Sequence, residues 1–97
     1  MTAQADAIWA LLSAVREQQP LVHNITNFVV MNNTANALLA VGASPAMIHS
    51  SDEVEDFVAV SQALVVNIGT LYSEQIAACK LAALRARAAG VPWILDP

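Results

Sequence analysis

The side chains in this sequence that could do chemistry concentrate in a few short stretches. The first is His23-Asn24-Ile25-Thr26-Asn27, continued by Asn32, Asn33 and Asn36. Five asparagines within thirteen residues of an otherwise apolar region need a reason, because the amide competes for backbone hydrogen bonds and sits poorly inside helices. Two readings stand side by side. Asn24 and Asn27 make turns and caps while Asn32 or Asn36 joins helices across an interface, or the stretch is a strand-to-helix loop whose amides hold a neutral polar ligand. Amide donors and acceptors suit a heterocycle or a hydroxyl better than an anion.

Gly42-Ala43-Ser44-Pro45-Ala46-Met47 is the second stretch. Its small residues let backbone approach closely, and Met47 carries a polarisable thioether that packs on rings or simply fills a core. Asn67-Ile68-Gly69-Thr70 is a third loop, whose lone glycine makes no dinucleotide fingerprint. Asp96, at the end of a strand, is either a ligand for a cation or hydroxyl or a turn residue before Pro97. His23 has no serine, cysteine or acid placed by sequence to complete a triad, so it reads as a buried histidine bonded to backbone. Cys79 reads as an inert small hydrophobe within a helix. The chain contains no phosphate loop of the GxxxxGK[ST] type, no HExxH and no GxSxG.

The elements that must position these groups follow from periodicity and punctuation. Ile8, Leu11, Leu12 and Val15 lie at i, i+3, i+4 and i+7, which predicts a helix over 3–18 that Pro20 stops. A short strand is expected at 21–25 and a helix over 29–41, closed by Gly42. A buried strand follows at 44–48. Ser50 and Glu53 have capping-box spacing, so a helix should start there, with Val54, Phe57 and Val58 on its core face. The mostly apolar run 63–68, closed by Gly69 and lacking polar alternation, predicts a strand covered on both faces. Ser73 is placed to cap a helix with Ile76, Cys79 and Ala83 on one stripe, ended by Gly90, and 91–95 is a last strand. This alternation predicts an α/β fold with a mostly parallel sheet and right-handed crossovers.

Composition narrows the function classes. Hydrophobic residues make up 57% of the 97 and charged residues only 12%, against a usual charged fraction of about a quarter. Such a chain must bury its elements on most sides, and it is too apolar to be disordered. The formal net charge of −4 and the lack of a basic stripe argue against a nucleic-acid partner. Residues 20–51 carry no charge beyond the two histidines, but asparagines, Gly42 and Pro45 interrupt them, so no membrane span is expected. There is no signal-peptide pattern, and one cysteine excludes an internal disulfide, so the expected location is cytoplasmic. The last strand delivers Asp96 to the ligand-binding edge of a sheet with nothing after it, so residues 1–97 are read as the amino-terminal part of a longer single domain.

Pro20-Leu21-Val22-His23-Asn24-Ile25-Thr26-Asn27, followed by the string from Thr34 through Gly42-Ala43-Ser44-Pro45-Ala46-Met47, resembles the opening of hydroxyethylthiazole kinases, thiamine-salvage members of the ribokinase-like superfamily. Asn67-Ile68-Gly69-Thr70 and Ile94-Leu95-Asp96-Pro97 are similar to that family's next two signature loops. The resemblance implies a three-layer ribokinase-like fold. It also implies transfer of the γ-phosphoryl of ATP, with Mg2+, to the hydroxyl of 4-methyl-5-(2-hydroxyethyl)thiazole, in a homotrimer with pockets at subunit contacts. By motif position Met47 would contact the thiazole, Asn27 would line the same pocket, and Asp96 would lie in the magnesium and phosphate environment. No catalytic residue is carried by these motifs. The family's glycine-rich anion hole and most of its nucleotide site lie beyond them, so the fragment alone is expected to be inactive. A related kinase for another small alcohol, such as the hydroxymethylpyrimidine, and a non-catalytic α/β binding module are the rival readings.

Overall fold

The computed structural model describes residues 2–69 and 72–96. Thr70 and Pro97, which belong to two of the motifs above, lie outside the described residues. Four helices and four strands alternate in chain order: α1 (Ala3–Gln18), β1 (Leu21–Ile25), α2 (Met31–Val41), β2 (Ser44–Met47), α3 (Val54–Ala59), β3 (Ala63–Asn67), α4 (Ser73–Ala89) and β4 (Trp93–Asp96). All strand pairs are parallel, and the sheet order is β2-β1-β3-β4. Since β1 lies inside the sheet with partners on both edges, α2 must carry the chain outward to β2 and α3 must bring it back past β1 to β3. Right-handed crossovers in these opposite directions place α2 on one face and α3 with α4 on the other. The result is the three-layer α/β fold expected.

Local chemistry explains the boundaries. Thr2 caps α1, its Oγ1 accepting the Ala5 N–H at 3.1 Å. The helix closes on Gln19, whose left-handed backbone (φ 49°) directs its N–H to the Val15 carbonyl at 2.9 Å, and Pro20 follows. Gly42 (φ 99°) ends α2, with Ala43 N–H reaching back to the Leu38 carbonyl at 2.9 Å. A Cβ at Gly42 would lie 2.9 Å from the Arg16 Cα, so glycine is required there for packing as well as for conformation.

Four expectations need correction. The strand expected to be buried at 44–48 is Ser44–Met47, with Ser44 exposed and the other three residues half-buried. The helix after β2 starts at Val54, not at Ser50, and the capping box does not form. Ser50 Oγ accepts from Asp52 N–H (3.2 Å), and the neighbouring Ser51 is held by Glu74, which accepts from both its N–H (3.0 Å) and its hydroxyl (2.7 Å). A tertiary carboxylate has replaced the local cap. Ser73 is the first residue of α4 rather than its cap, and the buried stripe is Gln75, Ala78, Ala82 and Ala86. Ile76 is exposed, and Cys79 and Ala83 are half-buried. Finally, β3 alternates. Leu64 and Val66 are buried, while Ala63, Val65 and Asn67 are half-buried.

The core joins Ile25, Leu64 and Val66 of the sheet to Val54 and Val58 of α3, to Ala78, Ala82 and Ala86 of α4, and to Val91. Three alanines at helical spacing bring the α4 backbone close to the strands, so inserting methylenes there should cost about 1–3 kcal/mol. Elsewhere apolar surface stays open: no residue of α1 is buried, and Ile8, Trp9 and Leu11 are exposed, as are Trp93, Ile94 and Leu95 of β4.

Candidate functional site

In a parallel sheet the carboxyl ends of all strands share one edge, where ligands bind. That edge collects Asn27 after β1, Met47 at the end of β2, Asn67 at the end of β3 and Asp96 at the end of β4.

The stem of the site is β1, buried along Val22–Ile25. His23 points towards α3. Its Nε2 donates to the Ile48 carbonyl at 2.8 Å, and its ring meets Phe57 edge-on with centroids 5.0 Å apart. Burial, the dominant cause, holds its pKa below the ordinary histidine value; the Ile48 carbonyl opposes that shift and nearby His49 adds to it. The expected structural role of His23 is therefore what the fold gives it.

Beyond β1 the loop is pinned from three directions. Thr26 N–H donates to His49 Nε2 at 3.3 Å. Gln75, fully buried on α4, donates its Nε2 to the Thr26 carbonyl at 2.8 Å. Asn27 Oδ1 accepts the Val30 N–H at 3.0 Å, which turns the chain into α2. Asparagine acts here as a turn-maker, as one of the two readings expected.

Asn27 does more than turn the chain. Its Nδ2 donates to Asn67 Oδ1 at 2.9 Å, and the same oxygen accepts the Gly69 N–H at 2.9 Å. Asn67 Nδ2 in turn donates to Asp96 Oδ2 at 3.1 Å. A row of hydrogen bonds thus runs across three strand ends, Asn27 to Asn67 to Asp96. Gly69 makes room for it: a Cβ there would stand 2.6 Å from Asn27 Nδ2 and 3.0 Å from Asn67 Oδ1.

Met47 stands apart from this row. It is half-buried on β2, in register with Asn24, on the opposite side of β1 from Asp96. Three strand spacings separate β2 from β4, roughly 14 Å. Cys79 is half-buried, and burial raises its pKa, so the thiol is a poor nucleophile. A cavity of about 400 Å³ lined by Ile48, Asp52, Glu53, Asp56, Phe57 and Val60 lies along α3 and includes none of Met47, Asn27 and Asp96.

The sequence profile of the hydroxyethylthiazole kinase family matches residues 12–97. This chain belongs to that family. It is 60% identical over 89 residues to the hydroxyethylthiazole kinase of Syntrophus aciditrophicus, covering 92% of this chain and 33% of that protein. Against the hydroxyethylthiazole kinase of Granulibacter bethesdensis it is 56% identical over 87 residues, 90% of this chain and 32% of the relative. The solved structure of the hydroxyethylthiazole kinase protein from Pyrococcus horikoshii superimposes with a TM-score of 0.92 at 52% identity, covering 95% of this chain and 36% of that one. The chain therefore spans about a third of the length of the relatives it matches, and its α/β fold is ribokinase-like. In this segment the sequence motifs single out Asn27 and Asp96 and miss the residue that joins them. Asn67 was visible only as part of a glycine loop, and its partners are 40 and 29 residues away in sequence.

Proposed function

We propose that the complete protein transfers the γ-phosphoryl group of ATP to the hydroxyl of 4-methyl-5-(2-hydroxyethyl)thiazole, and that this segment supplies much of the acceptor pocket. The observation that carries the reading is the hydrogen-bonded row Asn27–Asn67–Asp96 at the strand ends of a chain that belongs to the family. The amide of Asn27 and the thioether of Met47 suit the polar edge and the soft face of a thiazole. In the transfer the alcohol oxygen forms a bond to Pγ, the bond from Pγ to the β,γ-bridging oxygen breaks, and ADP leaves. The alcohol proton goes to a base outside this segment.

Mg2+ would meet Asp96. One carboxylate with water around it suits an ion that takes hard oxygen ligands and keeps several waters. Asp96 is exposed, its Oδ2 is engaged by Asn67, and among the described residues Oδ1 accepts no hydrogen bond. No group of three His, Cys, Asp or Glu side chains that could hold a metal occurs among the described residues, so phosphate and water oxygens would complete the shell. When bound, the cation would neutralise charge on the phosphates; this chain's part is to hold the carboxylate in place.

A homotrimer with pockets at subunit contacts is part of the proposal. Phe28 and Val29, beside Asn27, are 58% and 80% exposed, which gives apolar surface at the pocket rim for a neighbouring subunit. No described helix is long and apolar enough to cross a membrane, and a cytoplasmic location is proposed. The test uses the complete protein with ATP and Mg2+, offering the thiazole alcohol and the hydroxymethylpyrimidine in competition. Preferential formation of the thiazole phosphate is expected. Equal or preferential phosphorylation of the pyrimidine, or of neither, would overturn the reading.

A further inference from the structure

Among the described residues, Asn67 is the one side chain that touches both ends of the candidate site. Its oxygen accepts from Asn27 Nδ2 and from the Gly69 N–H, both at 2.9 Å, and its nitrogen donates to Asp96 Oδ2 at 3.1 Å. The direction of this amide is not arbitrary. A backbone N–H can only donate, so Gly69 fixes Oδ1 on its side and turns Nδ2 towards β4. Val30 N–H fixes Asn27 in the same way, since it must meet Oδ1 and leaves Nδ2 to face Asn67. Every bond in the row therefore donates towards Asp96: Val30 to Asn27, Asn27 to Asn67, Asn67 to the carboxylate. Aligned donors polarise one another and end on the single negative charge.

Other side chains do not meet these requirements. Asp lacks the donor and sets a second charge beside Asp96. Ser is too short and offers one oxygen, and Ala offers nothing. Position 67 is also the last residue of β3, in register with Asp96 on β4, and the Ile68 N–H donates to the Asp96 carbonyl at 3.1 Å. Backbone pairing sets the separation of the two side chains, and the amide sets their orientation.

We propose that Asn67 is a positioning residue of the phosphoryl transfer, holding the Asn27 amide and the Asp96 carboxylate in fixed relation so that acceptor and cation meet at a set distance. The inference rests on the reading of the site given above. Asn67 reaches neither substrate in this scheme; it acts through its two neighbours, and it leaves Asp96 Oδ1 as the oxygen available to a cation.

The complete protein with Asn67→Ala or Asn67→Asp tests this, with thiazole-alcohol affinity measured by calorimetry and Mn2+ affinity by electron paramagnetic resonance in the presence of a non-hydrolysable ATP analogue. Asn67→Ala releases both neighbours, so thiazole-alcohol affinity should fall roughly tenfold and Mn2+ affinity severalfold, in line with losing a hydrogen bond to a charged group. Asn67→Asp still accepts from Asn27 and Gly69, so thiazole-alcohol affinity should stay within about twofold. Its second carboxylate should tighten Mn2+ roughly tenfold. Opposite metal shifts show that position 67 lies beside the cation, and the joint loss of thiazole-alcohol and Mn2+ affinity in Asn67→Ala, measured per folded molecule, is the signature of a residue that holds both neighbours. Metal shifts of the same sign, or Mn2+ affinities identical to wild type, would overturn the proposal. If Asn67→Ala does not fold, Asn67→Ser, too short to reach either neighbour, decides instead by the same joint loss of thiazole-alcohol and Mn2+ affinity per folded molecule. Failure of the kinase reading shows separately, as a wild-type protein that makes no thiazole phosphate.

Discussion

Gly69→Ala perturbs the row without replacing any of its side chains. The backbone at Gly69 is not left-handed, unlike Gly42 and Gly90, so an alanine there costs little in conformation and acts through contact alone. Its Cβ would stand 2.6 Å from Asn27 Nδ2, where ordinary contact begins near 3.4 Å, so one group must retreat by 0.8 Å (3.4 − 2.6). Retreat of the Asn27 amide along its 2.9 Å bond to Asn67 takes that bond beyond hydrogen-bonding range. Asn27 is only 7% exposed, so water cannot readily replace the lost partner. A hydrogen bond forgone and a buried amide left short together cost about 2 kcal/mol, and a displaced Asn27 should weaken thiazole-alcohol binding roughly tenfold. Gly90→Ala is the control. Gly90 has φ 74° and nothing within 4 Å of a Cβ, so it should lose about 1 kcal/mol through backbone strain with ligand affinity unchanged. Urea unfolding and calorimetry on the complete protein measure both quantities. Wild-type thiazole affinity in Gly69→Ala, or an equal loss in Gly90→Ala, would refute the reasoning.

Other expectations follow from the same geometry. Met47→Ala in the complete protein should weaken thiazole-alcohol binding by about 1–2 kcal/mol and leave ATP binding unchanged; unaltered affinity per folded molecule would make Met47 a core filler. Asp96→Asn keeps the shape and an acceptor for Asn67, so the fold should survive while turnover falls and the magnesium midpoint rises, read from initial rates across a Mg2+ titration. His23 should make stability depend on pH. Its folded pKa lies below the ordinary value of about 6.5, so as pH falls from there the unfolded chain takes the proton first and stability drops. Urea midpoints at pH 7.5 and 5.5 should show this, and the dependence should weaken in His23→Gln; a dependence identical in both proteins would count against it.

Much of the fold was legible because its signals are local. Pro20, Gly42 and Gly90 end three helices within their own neighbourhoods, and alternation of apolar strands with helices implies parallel pairing before any register is known. The misreadings share one physical origin. Ser50-Ser51-Asp52-Glu53 has the spacing of a cap, but Glu74, from another helix, takes Ser51. In α4 an alanine-rich sequence gives weak periodicity, and the buried stripe is set by the polar Gln75, whose reason to be inside is the Thr26 carbonyl. Asn27 and Asp96 were legible as unusual residues at strand ends. Their connection was not, because the order β2-β1-β3-β4 makes β1 and β4 second neighbours and puts Asn67 between them.

The way β1 is held has a consequence for how the molecule comes into being. When β1 leaves the ribosome it has no partner; β2 can cover one of its edges, and the other waits for β3. The loop carrying Asn27 waits longer still, since the Gln75 amide that fixes Thr26 is synthesised 49 residues later, roughly 2–10 s at ordinary elongation rates. Until β3 is made, one edge of a strand destined for the interior stays unpaired, and sheets closed by such distant contacts assemble slowly. Nascent-chain protection at the ribosome is therefore most needed between the synthesis of β1 and that of α4, and pulse proteolysis of stalled chains should find the 26–30 loop cleavable until residue 75 has emerged from the exit tunnel.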